Sequence, residues 1–447
     1  MLCMGAITLL CFPQEALAQA VEAGYGKGEV LKFDQWLIND ALKQQDAQSF
    51  WVGYTYQTNA REECGYASDY NYPAFTFGLL VADFNDVRLR YNPNGVRPID
   101  YDSRCGTSFV AYASIRRAFF RTHSGWSVDY TFGNGIGYNT HIYDRFTNVD
   151  NVMLGSRLSV YFNVAFSLNY RYRQCEFFVG PEFRHLSNGG VIRPNKGINK
   201  LGIGTGVRYY LYSYDSIPLK RLHEPFEDKG MYLNIAYNSG VRASQGEWLY
   251  DANRYIWKSN DVEHLEYGKD GYRMCYYHVV SADLMCRYAR RYSSGIGIDA
   301  LYEPYNRDVE IQNPSADRST LPLWSFGIAV KHEAYFRRLS MQIALGCYLS
   351  RPLNEYSNTS EEYPYYERVG LRYNFPLLNN SISVGYNIYA HLTKAYGTIY
   401  GIRFGFNLVY AFATSEIRDS ALAIATPISA ATLGIIPVPL VQAVIII

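Results

Sequence analysis

From Leu158 to Tyr172 the chain alternates with a period of two residues. Leu158, Val160, Phe162, Val164, Phe166, Leu168, Tyr170 and Tyr172 hold the even positions, while Arg157, Ser159, Asn163, Ser167, Asn169 and Arg171 are among the odd ones. Successive side chains of a strand point to opposite faces, so such a segment is oily on one side and wet on the other. The rule recurs in Met231, Leu233, Ile235 and Tyr237 against Asn234 and Asn238, and in Val369, Leu371, Tyr373 and Phe375 against Arg368, Arg372 and Asn374. Near the end Ile402, Phe404, Phe406, Leu408 and Tyr410 alternate with Gly401, Arg403, Gly405 and Asn407. These runs extend over about 11 to 17 residues. Sandwich strands of about 5–6 residues are much shorter, whereas tilted membrane spans need that length. The oily face then meets lipid and the polar face lines a lumen.

The expected fold is therefore all-β: a transmembrane, antiparallel outer-membrane β-barrel. Connections alternate long and short, as in barrels with long loops outside and short turns on the periplasmic side. Residues 136–151, 187–199, 240–271 and 304–321 are long, whereas Arg173, Arg290-Arg291 and Arg338 mark short turns. Counting back from Phe412 gives about 14 strands, with 12 or 16 within tolerance. Two segments resist this count. Residues 213–229 are long where a short turn is expected, and Gln48–Thr58 reads as a strand without a place. The 43 tyrosines, 23 phenylalanines and 36 glycines suit strands that cross two aromatic girdles. With 42 basic and 41 acidic residues, net charge argues neither for nucleic acid nor for broad attraction to an anionic surface, and no nucleic-acid partner is expected.

The start, with an apolar stretch before Ala16-Leu17-Ala18, reads as a signal peptide over 1–18. Residues 19–47 then read as an N-terminal extension, 48–412 as the barrel, and 413–447 as an apolar tail interrupted by Pro427, Pro437 and Pro439. The cysteines show no metal-ligand spacing, and the histidines form no HExxH or His-x-His pattern, so neither metal nor cofactor is expected. In a secreted chain, Cys64 and Cys105 are the pair placed to form a loop disulfide.

Between Cys175 and Ser187 the odd residues Cys175, Phe177, Val179 and Phe183 are mostly apolar, and the even residues Glu176, Gly180, Glu182 and Arg184 mostly polar. His185 and Ser187 follow the odd, lipid-facing register, and residues two apart on a strand share a face. A serine hydroxyl becomes a nucleophile when a histidine takes its proton, and the histidine needs a third group to fix its tautomer. On the next strand Leu201, Ile203 and Val207 face outward against Gly202, Gly204, Gly206 and Arg208, which puts Asn199 on the outward face as well. Asn195 and Gly197 lie in the intervening loop, where amides can hold an oxyanion. The glycine spacing is that of a lumen-facing stripe and not of a nucleotide fingerprint. Glu182 and Arg184 read as a structural polar pair in the lumen.

Phe183-Arg184-His185-Leu186-Ser187-Asn188, followed by Pro194-Asn195-Lys196-Gly197-Ile198-Asn199, resembles the signature of lipid A 3-O-deacylases and outer-membrane acyloxyacyl hydrolases, and beyond the motif the Val280 to Tyr302 region and the last strands are similar to their longer, two-part members. The resemblance implies Ser187 as nucleophile, His185 as base, Asn199 in the third position, Asn195 at the oxyanion hole and Asn188 in support. It implies lipopolysaccharide, through its lipid A, as partner and substrate. In the deacylases the third residue is Glu; Asn can orient an imidazole without stabilising an imidazolium as a carboxylate does. Two functions follow as expectations: an ester hydrolase that removes a fatty acyl chain from lipid A, or a barrel that keeps the motif as a relic and serves as a channel, transporter or surface protein.

Overall fold

The computed structural model describes residues 19–32, 41–58, 65–90, 102–145, 147–211, 226, 229–244, 271–304, 322–351, 364–375, 382–391 and 394–410, with backbone alone from 390 onward. The signal segment 1–18, Cys64 and the tail 413–447 lie outside the described residues. The chain divides into two compact units.

The first unit holds β1 (Gln19–Val30), β2 (Leu42–Gln44), β3 (Asp46–Gln57), the short helix α1 (Tyr66–Asp69), β4 (Ala74–Leu89), β5 (Ser103–Arg121), β6 (Trp126–Asn139), β7 (Leu158–Tyr172), β8 (Cys175–Ser187) and β9 (Ile198–Tyr210). Eight of these strands form a ring in the order β4-β3-β1-β9-β8-β7-β6-β5, closed by pairing of β5 with β4, and β2 adds to the edge of β4. The second unit is a closed barrel of β10 (Gly230–Ala243), β11 (Met274–Ala289), β12 (Tyr292–Tyr302), β13 (Trp324–Phe336), β14 (Leu339–Ser350), β15 (Tyr365–Phe375), β16 (Ile382–His391) and β17 (Lys394–Tyr410). Here β10 pairs with β17 to shut the ring. All pairings are antiparallel.

The antiparallel barrel class stands, and its sixteen ring strands reach the upper end of the expected range. They are shared, however, between two rings in place of the single barrel expected over 48–412. The long segment 213–229 is explained by this division, because it separates β9 of the first ring from β10 of the second in the chain. The supposed extension 19–47 is corrected too, because β1 and β2 belong to the sheet. Gln48–Thr58 finds its place as β3, between β1 and β4. The signal in β1 was hidden by its lumen side, which is Glu22, Gly24, Gly26 and Gly28. A Cβ on Gly24 would lie 2.2 Å from the Trp51 ring, so only glycine lets that indole cross the lumen.

Burial follows the alternation. In the first ring Leu158 and Ile203 are each 63 % exposed, and in the second Ile298 is 61 % exposed, whereas Ser159 beside Leu158 and Asp299 beside Ile298 are buried. An apolar belt of this kind on the outside, with charge inside, is the inverse of a soluble core and fits a lipid surround. Among the described residues no helix is long and apolar enough to cross a membrane; the strands do so.

The first lumen is filled by paired charges. Arg208 meets Glu22 at 2.9 Å and Glu176 at 2.7 Å, and Arg116 meets Asp129 at 2.6 Å. Arg184 grips Glu182 through Nε and Nη2 at 2.9 and 2.7 Å, the lumen pair read from sequence, and Lys200 joins them at 3.1 Å. Each buried charge needs such a partner, since an unpaired one costs several kcal/mol. A cavity of about 60 Å³ remains between Trp51, Tyr112, Tyr161 and Arg208. In the second ring Lys331 bridges Asp283 and Asp299, and Arg372 pairs with Glu333.

At the long-loop end of the first ring an apolar cluster joins Leu42, Phe84, Val87, Leu89, Met153, Leu154, Leu186 and Ile198. Leu186 and Ile198 are the inward-facing neighbours of His185 and Asn199, so this cluster backs the two strand ends that carry the motif. Cys105 lies in it as a free, buried thiol beside Met153, so the loop disulfide with Cys64 that the secreted context allowed is not formed.

Candidate active site

Strands β8 and β9 pair so that His185 stands directly opposite Asn199, with Phe183 opposite Leu201 one step further along the same face. That face carries Phe177, Val179, Leu201 and Ile203, all exposed. The alternation thus points His185, Ser187 and Asn199 out of the barrel wall, at its long-loop end.

The three side chains form one hydrogen-bonded chain. His185 Nδ1 lies 2.7 Å from Asn199 Oδ1, and His185 Nε2 lies 2.8 Å from Ser187 Oγ. A carbonyl oxygen only accepts, so Nδ1 carries the proton and donates it to Asn199. Nε2 then holds a lone pair and accepts from the serine hydroxyl, the tautomer that a general base requires. Ser187 is 5 % exposed and sits recessed at the strand end.

The loop after Ser187 is organised by Asn188. Its Oδ1 accepts from the backbone N–H of Gly190 at 3.0 Å, and its Nδ2 donates to Ile192 O at 2.9 Å and to Ser156 Oγ at 2.9 Å. Its backbone N–H donates to Asn195 Oδ1 at 2.9 Å. That bond fixes which end of the Asn195 amide is oxygen, because a backbone N–H only donates. Asn195 Nδ2 is left buried with no partner among the described residues. A buried, unused donor next to the residue that follows the serine is the arrangement that receives a developing negative charge. Gly197 has φ 72° and crosses the imidazole edge, where an added Cβ would stand 2.8 Å from His185 Cε1. Both the left-handed backbone and the close approach require glycine there.

All six residues picked out in the sequence are therefore together: His185, Ser187 and Asn199 in one chain, with Asn188, Asn195 and Gly197 around it. What the sequence did not disclose is the β6–β7 connection. Lys196 N donates to Val152 O at 2.9 Å and Gly197 N to Met153 O at 3.0 Å, so residues 152–156 run alongside the Asn195 loop. Those residues lie far from the motif along the chain and carry no pattern of their own.

Residues 52–208 match the family profile described as lipid A 3-O-deacylase (PagL), and residues 258–410 match that described as acyloxyacyl hydrolase, C-terminal domain. The first match contains the whole candidate site, and the second takes in β11 to β17 of the second ring. No curated protein matches. Solved structures similar to this chain include a mutant porin from Rhodopseudomonas blastica, 6 % identical, covering 87 % of this chain and 99 % of its own, with a TM-score of 0.15. An outer membrane channel from Pseudomonas putida F1 is 10 % identical, covering 89 % of this chain and 99 % of its own, at 0.19. A mutant ferric enterobactin receptor from Pseudomonas aeruginosa is 9 % identical, covering 84 % and 53 %, at 0.22.

Proposed function

Because this chain belongs to the lipid A 3-O-deacylase and acyloxyacyl hydrolase family of outer-membrane barrels, in its two-part form, we propose that it removes a fatty acyl chain from lipid A by ester hydrolysis on the lipid-facing wall of its first ring. The observation that carries this reading is the unbroken chain Asn199–His185–Ser187 on an apolar, outward face.

Ser187 Oγ attacks the ester carbonyl carbon while its proton passes to His185 Nε2. Asn199 Oδ1 holds the Nδ1–H, and the Asn195 amide donates to the oxyanion of the tetrahedral intermediate. The bond from that carbon to the sugar oxygen breaks as His185 returns the proton to the leaving alkoxide, which leaves an acyl-serine. Water then gives a proton to His185 and its hydroxyl to the carbonyl carbon, the bond from that carbon to Ser187 Oγ breaks as the serine takes the proton back from His185, and a free fatty acid remains in the leaflet. Phe177, Val179, Leu201 and Ile203 supply an apolar wall along which the acyl chain lies without leaving the bilayer. The substrate arrives by lateral diffusion, and the ion pairs that occupy the lumen of the first ring support the outer wall over the interior as the working surface.

A fluorophosphonate, which phosphonylates only activated serines, tests this. Labelling of the protein in detergent, mapped to Ser187 by peptide mass spectrometry and lost in His185→Ala, is the expected result. A wild-type protein that takes no label, or one labelled equally well without His185, contradicts it.

A further inference from the structure

The loop bearing Asn195 is held from outside. Three strands converge on Ser156: Asn139 Nδ2, at the end of β6, donates to Ser156 O at 2.9 Å and to Ser159 Oγ of β7 at 2.6 Å, while Asn139 Oδ1 accepts from Ser108 Oγ of β5 at 2.7 Å. The Ser156 hydroxyl donates to Leu158 O at 2.6 Å and accepts from Asn188 Nδ2 at 2.9 Å. Gly155 beside it lies against the loop backbone itself, where an added Cβ would stand 2.1 Å from Pro194 O, one residue before Asn195. With the two backbone bonds from Lys196 and Gly197 to Val152 and Met153, the contact covers both sides of Asn195.

We propose that residues 152–156 are a positioning element for the oxyanion donor, with Gly155 and Ser156 setting where the Asn195 amide stands; this rests on the hydrolase reading above. Neither residue enters the chain from Asn199 to Ser187. Each acts through the loop: Gly155 by allowing the close approach at Pro194, and Ser156 by tying Asn188 to the rigid ends of β5, β6 and β7. A donor displaced by about 1 Å no longer meets the oxyanion, and misplacement of that size costs about 100-fold in rate.

The test pairs kinetics with amide hydrogen exchange on the full-length protein. Gly155→Ala is expected to lower kcat about 100-fold with KM within about twofold, since the donor acts in the transition state and not in substrate binding. Ser156→Ala is expected to lower kcat about tenfold, and Ser156→Thr, which keeps the hydroxyl, to restore it. In Gly155→Ala and Ser156→Ala, exchange over residues 188–197 should quicken while that of the barrel strands stays as in wild type. Wild-type exchange across 188–197 in both variants, or a rise in KM with kcat unchanged, overturns the proposal. A wild-type protein that releases no fatty acid sinks the hydrolase reading instead, and the exchange data still decide whether the clamp exists.

Discussion

Replacing Asn199 by Asp changes one atom of the chain on which the proposed chemistry depends. The side chain keeps its length, so an oxygen remains 2.7 Å from His185 Nδ1, and the partner becomes an anion. In the resting state the bond is already made; the gain comes when His185 takes the serine proton and becomes an imidazolium. There the wild-type bond joins an imidazolium to a neutral amide and the variant's joins two opposite charges, the weak and strong ends of the range of about 1.5–3 kcal/mol for hydrogen bonds that involve charge. The difference at the transition state is about 1.4 kcal/mol, which is about tenfold in rate. The assay is the initial rate of fatty acid release from purified lipopolysaccharide, followed by mass spectrometry of lipid A. Heat-modifiable gel mobility would confirm that the variant barrel is folded. Asn199→Glu should also raise the rate, by less if its longer side chain has to fold back. A folded Asn199→Asp protein no faster than wild type would refute the reasoning that a charged partner at His185 Nδ1 lowers the barrier.

Two further outcomes follow from the geometry. Asn195→Ala removes the unused Nδ2 donor and should lower kcat by about 10²–10³ with little change in KM, read in the same release assay; an unchanged kcat would take Asn195 out of the oxyanion site. Gly24→Val drives a branched side chain into the Trp51 ring and should prevent folding of the first ring, seen as loss of the heat-modifiable band, whereas the same change in a free N-terminal extension would be silent.

The fold was legible wherever one strand face was uniformly oily. β7, β10 and β15 announced themselves because lipid imposes apolar residues on every second position. β1 did not, because its inner face is made of glycines that admit Trp51 and the Glu182 cluster from other strands. The number of rings was illegible for a related reason. Alternation fixes which way each side chain points, but closure depends on β4 meeting β5 and on β10 meeting β17, and no local pattern encodes those partners. The one residue-level hint was the overlong connection after β9. At the site, His185, Ser187 and Asn199 could be read because strand register alone brings them together. The tautomer was fixed only by the distance from His185 Nδ1 to Asn199 Oδ1, and the orientation of the Asn195 amide only by the Asn188 backbone bond. The supporting contacts of Gly155 and Ser156 arise from packing between loops, and such contacts leave no periodic trace.

The central claim is that the outer wall of the first ring cuts an ester of lipid A through Ser187. Incubating the purified wild-type and Ser187→Ala barrels with lipopolysaccharide and weighing the lipid A measures it directly. The account predicts that wild type removes the mass of one acyl chain and releases the matching free fatty acid, and that Ser187→Ala leaves lipid A intact. Lipid A unchanged by the folded wild-type protein, or shortened equally by Ser187→Ala, would contradict it.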